Sequence, residues 1–203
     1  MAQHDVVFRV PPLSTVRIRK VADNLRTAFK IERPYFPVAD VVELVFPHII
    51  SDYVFELCTK SEMDQHYGRG VHAMAIPTES RIVLRDDIYD GLLEENPRDR
   101  FTVAHEIGHF ILHHGVGFAR GETANAVKPY ENSEWQADTF AAELLMPIAH
   151  ALQCASVQEI MTTFGVSNLA AKIRWETLKK FKVHEEESPS GNSGFREKKE
   201  TKL

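Results

Sequence analysis

The sequence predicts an α+β domain, mainly helical, in which one buried helix carries the chemistry beside a small three-stranded sheet. Three observations carry this. Residues 97–114 place apolar side chains (Phe101, Val103, Ala104, Ile107, Phe110, Ile111, Leu112) on nearly all sides of a helix, as in a helix enclosed by protein. Between residues 49 and 85 the pattern changes to three short runs, 53–57, 71–76 and 81–84, separated by Gly, Pro and polar residues; these read as strands, antiparallel in part. The other periodic segments follow the 3.6-residue repeat of amphipathic helices.

Taken in order, residues 1–12 contain Pro11-Pro12 and read as a flexible lead-in to a domain spanning 13–183. Ile18, Val21, Ala22, Leu25, Ala28 and Phe29 mark a first helix over 15–31. Pro34 and Pro37 break it, and 40–46 reads as a short second helix ended before Pro47. After the strands, Asn96 supplies a cap, Pro97 the first helical position and Asp99 an acidic first turn for the central helix, which Gly115 stops. Residues 115–132 are Gly-rich and polar and read as a long loop near the site. Ser133-Glu134-Trp135-Gln136 has the form of a capping box opening a helix to about Met146, with Pro147 at its end. Two further helices are expected near 156–164 and 168–182. From His184 the chain is rich in Glu, Ser, Gly and Lys, so 184–203 is expected to be a disordered tail.

Composition narrows the function. The 203 residues suit one domain with tails, and 43% hydrophobic content with 12 Phe supplies a core. A net charge of −5 argues against a protein built to grip a phosphate backbone, so direct nucleic-acid binding is not expected. No basic-then-apolar leader and no run of about 18 apolar residues is present, so no membrane partner is expected. Cys58 and Cys154 lie far apart without a C-x-x-C, which speaks against a disulfide framework and for a cytoplasmic location.

His105-Glu106-Ile107-Gly108-His109 lies within the central helix. Imidazoles four residues apart share a helix face, with Cβ atoms about 5–6 Å apart, close enough to bind one Zn²⁺. Glu106 is placed to take a proton from a catalytic water. By itself the pentapeptide arises by chance about four or five times in a hundred such sequences, so its context decides. Two buried histidines need partners, at about 1–3 kcal/mol for each unsatisfied group; one ion supplies both, and the plainer alternative is two core histidines bonded to carbonyls with Glu106 merely exposed. Downstream, Glu134 starts a helix with Asp138 four residues later on the same face. Glu134 can bind the ion while Asp138 accepts the second ring N–H of a ligand histidine; the plainer alternative is that both carboxylates only favour the helix N-terminus.

The blocks 105–114 and 134–147, with Phe101-Thr102-Val103-Ala104 before them and Phe164-Gly165-Val166-Ser167 after, resemble the ImmA/IrrE metallo-endopeptidases over roughly residues 15–182. The resemblance implies a zincin-like domain with one Zn²⁺ held by His105, His109 and Glu134, and Glu106 as general base. Asp138 stands where that family often has Asn, keeping the Glu-x-x-x-Asp form of thermolysin-like gluzincins. The resemblance further implies an intracellular protease of narrow specificity, of the kind carried by mobile genetic elements and toxin–antitoxin pairs. Its expected substrate is a helix-turn-helix repressor or antitoxin-like partner.

The oxyanion stabiliser is not identified by pattern; Tyr67, His72 and Tyr130 are candidates for it or for substrate contact, beside the plainer reading of each as a packing or surface residue. One of the strands 71–76 and 81–85 is expected to pair with an extended substrate. His113, four residues beyond His109, is a possible further ligand, but it and His114 better suit the C-terminal turn of the central helix because Glu134 completes the set. Mid-helix Gly108 implies close approach of a strand or substrate. An alternative function also follows. Residues 157–182 read as a helix-turn-helix followed by Lys172, Arg174, Lys179, Lys180 and Lys182, which would make the chain a DNA- or protein-binding regulator with a non-catalytic zinc site.

Overall fold

Two helices crossing at a glycine form the centre of the structure, a computed structural model that describes residues 6–116, 119–123 and 127–187. The chain begins with β1 (Val6–Arg9), then α1 (Thr15–Ala28), whose Ser14 cap accepts from the Arg17 amide and which buries Ile18, Ala22 and Arg26. A helical stretch follows as α2 (Val38–Asp40), a π-helical segment Val41–Val45 and α3 (Phe46–Ile49). This corrects the short helix expected to end before Pro47. Pro47 falls in the first turn of α3, the part of a helix where proline is tolerated.

Three strands form a mixed sheet: β2 (Val54–Cys58), β3 (Ala73–Ile76) and β4 (Arg81–Arg85), in the order β2-β4-β3. β2 runs parallel to β4 and β3 antiparallel, with Ala75 opposite Ile82. Ile82, Val83 and Leu84 are wholly buried, as the central strand of a covered sheet requires. Two helices absent from the sequence expectation flank it. α4 (Lys60–His66) starts at a Thr59/Glu62 capping box, and α5 (Asp86–Leu93) has two acidic residues in its first turn.

α6 (Pro97–Leu112) has the expected Asn96 cap and Pro97 start. β5 (Ala119–Thr123) pairs antiparallel with β1, so the expected long loop holds a strand and the expected lead-in supplies its partner. A short 3₁₀ turn at Pro129–Glu131 then leads into α7 (Ser133–Leu145). The lead-in is strapped to that turn: Val10 N–H donates to Glu131 O at 2.8 Å and Leu13 N–H to Tyr130 O at 2.9 Å. The α7 cap is Asn132, whose side chain accepts from the Glu134 and Trp135 amides, and not Ser133, which is buried in the first turn.

α8 (Ile148–Ala151), α9 (Val157–Phe164) and α10 (Asn168–Glu187) complete the fold. α10 continues into the segment expected to be a tail; the rest of that segment, 188–203, lies outside the described residues. Phe36, Phe46, Val103, Ile107, Phe140, Leu144 and Phe164 form the core around α6 and α7. Arg100 fixes α6 from within it. Its guanidinium lies 4.0 Å from the Tyr35 ring centroid and donates to Gly165 O and Phe36 O at 3.1 Å and to Phe164 O at 3.3 Å. Among the described residues, no helix is long and apolar enough to cross a membrane.

Candidate metal centre

The four-residue spacing on α6 turns two imidazoles toward one point, where the Nε2 atoms of His105 and His109 lie 2.9 Å apart. α7 crosses beside them and brings Glu134 into the same volume. Its carboxylate oxygens stand 3.3 Å from His105 Nε2 and 3.4 Å from His109 Nε2. One ligand-type atom from each of the three residues lies within 4.8 Å of the others. Gly108 permits the approach: a Cβ there would stand 3.1 Å from both the Cα and the carbonyl oxygen of Ala137, and 3.2 Å from the Phe140 ring. The close neighbour is thus helix α7, in place of the strand or substrate expected.

Asp138, one turn after Glu134, accepts from His105 Nδ1 at 2.8 Å. With its hydrogen on Nδ1, His105 presents a lone pair on Nε2 toward His109 and Glu134. Burial opposes charge on His105, yet the carboxylates of Asp138, Glu134 and Glu106 more than offset it and raise its pKa to about 10. Burial likewise opposes ionisation of Glu134, but its hydrogen bonds to His105 and His109 hold the carboxyl well below the usual carboxylate range. The site therefore concentrates negative charge around ring nitrogens aimed at one another. Two imidazoles and one carboxylate form a donor set that fits a metal ion, whose binding displaces the proton that the same charges favour.

Glu106 is nearly buried, and its Oε2 accepts from the Ala75 amide at 2.6 Å. Ala75 lies on β3, an outer strand, and gives its N–H to Glu106 rather than to β4. The pairing groups on the outer side of β3 therefore lie beside the motif helix. β4 is the central strand, so of the two runs expected to pair with a substrate only β3 has an open side.

A second set of contacts stands behind His109, and sequence reasoning missed it. His113, expected in the last turn of the helix, is 1% exposed. Its Nδ1 lies 3.1 Å from His109 Nδ1 and its Nε2 3.1 Å from Gln136 Oε1. Burial, then the neighbouring His109, lower its pKa to about 4. Gln136, read only as part of a capping box, is fully buried and donates to Pro11 O at 2.9 Å and Tyr130 O at 2.8 Å. The available signal was the repeated spacing 105, 109, 113, which puts three imidazoles on one helix face. His114, by contrast, is exposed.

The remaining candidates make other contacts. Tyr67 caps α4 with its ring against His66. His72 precedes β3, and its carbonyl accepts from the Arg85 amide. Tyr130 is 40% exposed in the turn before α7, with Lys128 over its ring. The described hydrogen bonds join none of these side chains to His105, His109 or Glu134. An apolar groove of about 500 Å³ opens beside Asp138, lined among others by Phe101, Trp135, Met146, Leu169 and Ile173. In the helix-turn-helix-like segment, Arg174 is 4% exposed and bonded to Glu143 at 2.8 and 3.0 Å, which removes it from any nucleic-acid contact.

Residues 92–176 match the Peptidase_M78 family, the IrrE N-terminal-like domain, in agreement with the ImmA/IrrE resemblance of the motifs. The matched stretch contains the two histidines, Glu106, Glu134 and Asp138, and it takes in α9 and half of α10. No curated protein matches the chain.

Proposed function

We propose that this chain, whose residues 92–176 match a peptidase family, is a zinc-dependent endopeptidase acting on one specific cytoplasmic protein. The observation that carries this is the convergence of His105, His109 and Glu134 within 4.8 Å, with Glu106 on the same helix. The donor set of two imidazoles and one carboxylate suits Zn²⁺ with a position left open for chemistry. When bound, zinc supplies Lewis acidity that activates water and polarises the scissile carbonyl.

The chain's own residues do the rest. Glu106 takes the proton from the attacking water and delivers it to the leaving amine. Asp138 fixes the tautomer of His105 through Nδ1. β3 offers an extended substrate its outer edge, where Glu106 already touches the Ala75 amide. Tyr67, His72 and Tyr130 stay as positions at which substitution tests a role in steadying the oxyanion. The ImmA/IrrE resemblance supports a helix-turn-helix repressor or antitoxin-like partner as the substrate.

The test uses the purified zinc-loaded protein and a small helix-turn-helix protein encoded beside it. Glu106→Gln should keep one zinc per chain and lower cleavage by about 10²–10⁴-fold; a variant that still cleaves removes Glu106 as the base. Glu134→Ala should lower zinc content and affinity, and an unchanged metal content strikes Glu134 from the ligand set.

A further inference from the structure

We infer that Gln136 and His113 form a hydrogen-bond chain of fixed polarity that selects the metal-binding tautomer of His109. Both are then positioning residues, and the inference rests on reading His105, His109 and Glu134 as ligands.

Gln136 Nε2 reaches two backbone carbonyls, Pro11 O at 2.9 Å and Tyr130 O at 2.8 Å. Carbonyl oxygens only accept, so the NH₂ group must face them and the amide cannot be turned over. This leaves Gln136 Oε1 facing His113 Nε2 at 3.1 Å. An amide oxygen also only accepts, so His113 carries hydrogen on Nε2. A neutral imidazole has a single N–H; His113 Nδ1 therefore holds a lone pair, directed at His109 Nδ1 at 3.1 Å.

The hydrogen between the two rings must then belong to His109. Its Nδ1 donates, and its Nε2 is left with a lone pair aimed at His105 and Glu134. Both His113 and Gln136 are buried, at 1% and 0% exposed.

The two ligand histidines are thus oriented by different means. His105 is held by the carboxylate of Asp138 on the same two helices. His109 is held by neutral groups whose polarity is set by two carbonyls outside those helices, one on the N-terminal strap and one in the turn before α7. The second arrangement fixes the ring without adding another negative charge to the centre.

The test measures Zn²⁺ affinity of the full chain by competition with a chromogenic chelator, with thermal melting of the metal-free proteins as a control on folding. His113→Phe and Gln136→Met should each weaken Zn²⁺ binding by about 10–100-fold. His113→Gln should stay within about threefold of wild type, because its amide oxygen can accept from His109 while its NH₂ donates to Gln136 Oε1. A merely space-filling role would rank the phenylalanine variant with the glutamine variant. Should His113→Phe fail to fold, Gln136→Met and His113→Gln decide. Unchanged affinity in Gln136→Met, or His113→Gln as weak as His113→Phe, overturns the chain alone. A wild-type protein that binds no Zn²⁺ overturns the ligand reading, and the chain with it.

Discussion

Gly108 sets the separation of the two helices that share the metal centre, and its substitution balances two opposed effects. Alanine gains about 1 kcal/mol of helix propensity. Its Cβ would also meet the Ala137 backbone at 3.1 Å, and a backbone cannot rotate away as a side chain can. Overpacking of this kind costs about 1–3 kcal/mol, so Gly108→Ala should be destabilised by up to about 2 kcal/mol. Its zinc affinity should fall as well, because parting α6 from α7 moves Glu134 away from both histidines. Urea unfolding beside a zinc titration checks both, and a variant more stable than wild type would contradict the account. His113 shows the limit of sequence reading at this scale. Its spacing from His109 was visible, but it sits at the end of α6, where a histidine also suits the helix dipole. Its partner Gln136 is in turn held by the turn before α7 and by a strap from the far N-terminal end of the chain, which no local pattern reveals.

At the scale of elements, legibility followed length and burial. α6 was readable because cap, proline and apolar residues agree with one another. β4 was readable as an apolar run, and the structure shows why it is unbroken: both of its faces are covered. Strand order was not readable, since pairing partners leave no mark on a run of four or five residues. β1 and β5 escaped for the same reason, each too short for an alternation to show and each pairing across more than a hundred residues. The α7 cap was misplaced by one position, Ser133 for Asn132, because both residue types cap well. β3 carries a prediction of its own. Ala75 gives its amide to Glu106 and not to β4, so Ala75→Pro removes that donor while sparing the ladder, as proline does on an outer strand edge. With zinc content unchanged, kcat/KM should fall by about 10–100-fold from misplacement of the base; an unchanged value would detach β3 from the reaction.

Across the whole molecule, Glu143 ties α7 to the first and last helices. Arg19 on α1 donates to it at 3.0 and 3.2 Å, and Arg174 on α10 at 2.8 and 3.0 Å. The arginine that made 157–182 look like a nucleic-acid reader is one of the residues closing the domain around its core. Burial pushes the Glu143 carboxyl up, but the two guanidinium groups outweigh it and hold the pKa below its usual value. A carboxyl depressed in the folded state adds stability that is fully present above its unfolded pKa, about 4.3, and that is lost as pH falls through the folded value. Asp23 nearby is raised, by burial and then by Glu143 itself, and titrates with the opposite sign. Glu143→Gln leaves two guanidinium groups short of their counter-charge, so it should lose about 3–5 kcal/mol at neutral pH. It should also lose less additional stability than wild type between pH 5 and 3, in a window set by about the unfolded carboxyl pKa. Urea unfolding midpoints across that range measure both effects. If the variant and wild type decline in parallel, the ion pairs do not set the acid limit of the fold, and the depressed carboxylate must be sought elsewhere, with Glu134 at the metal centre the next to examine.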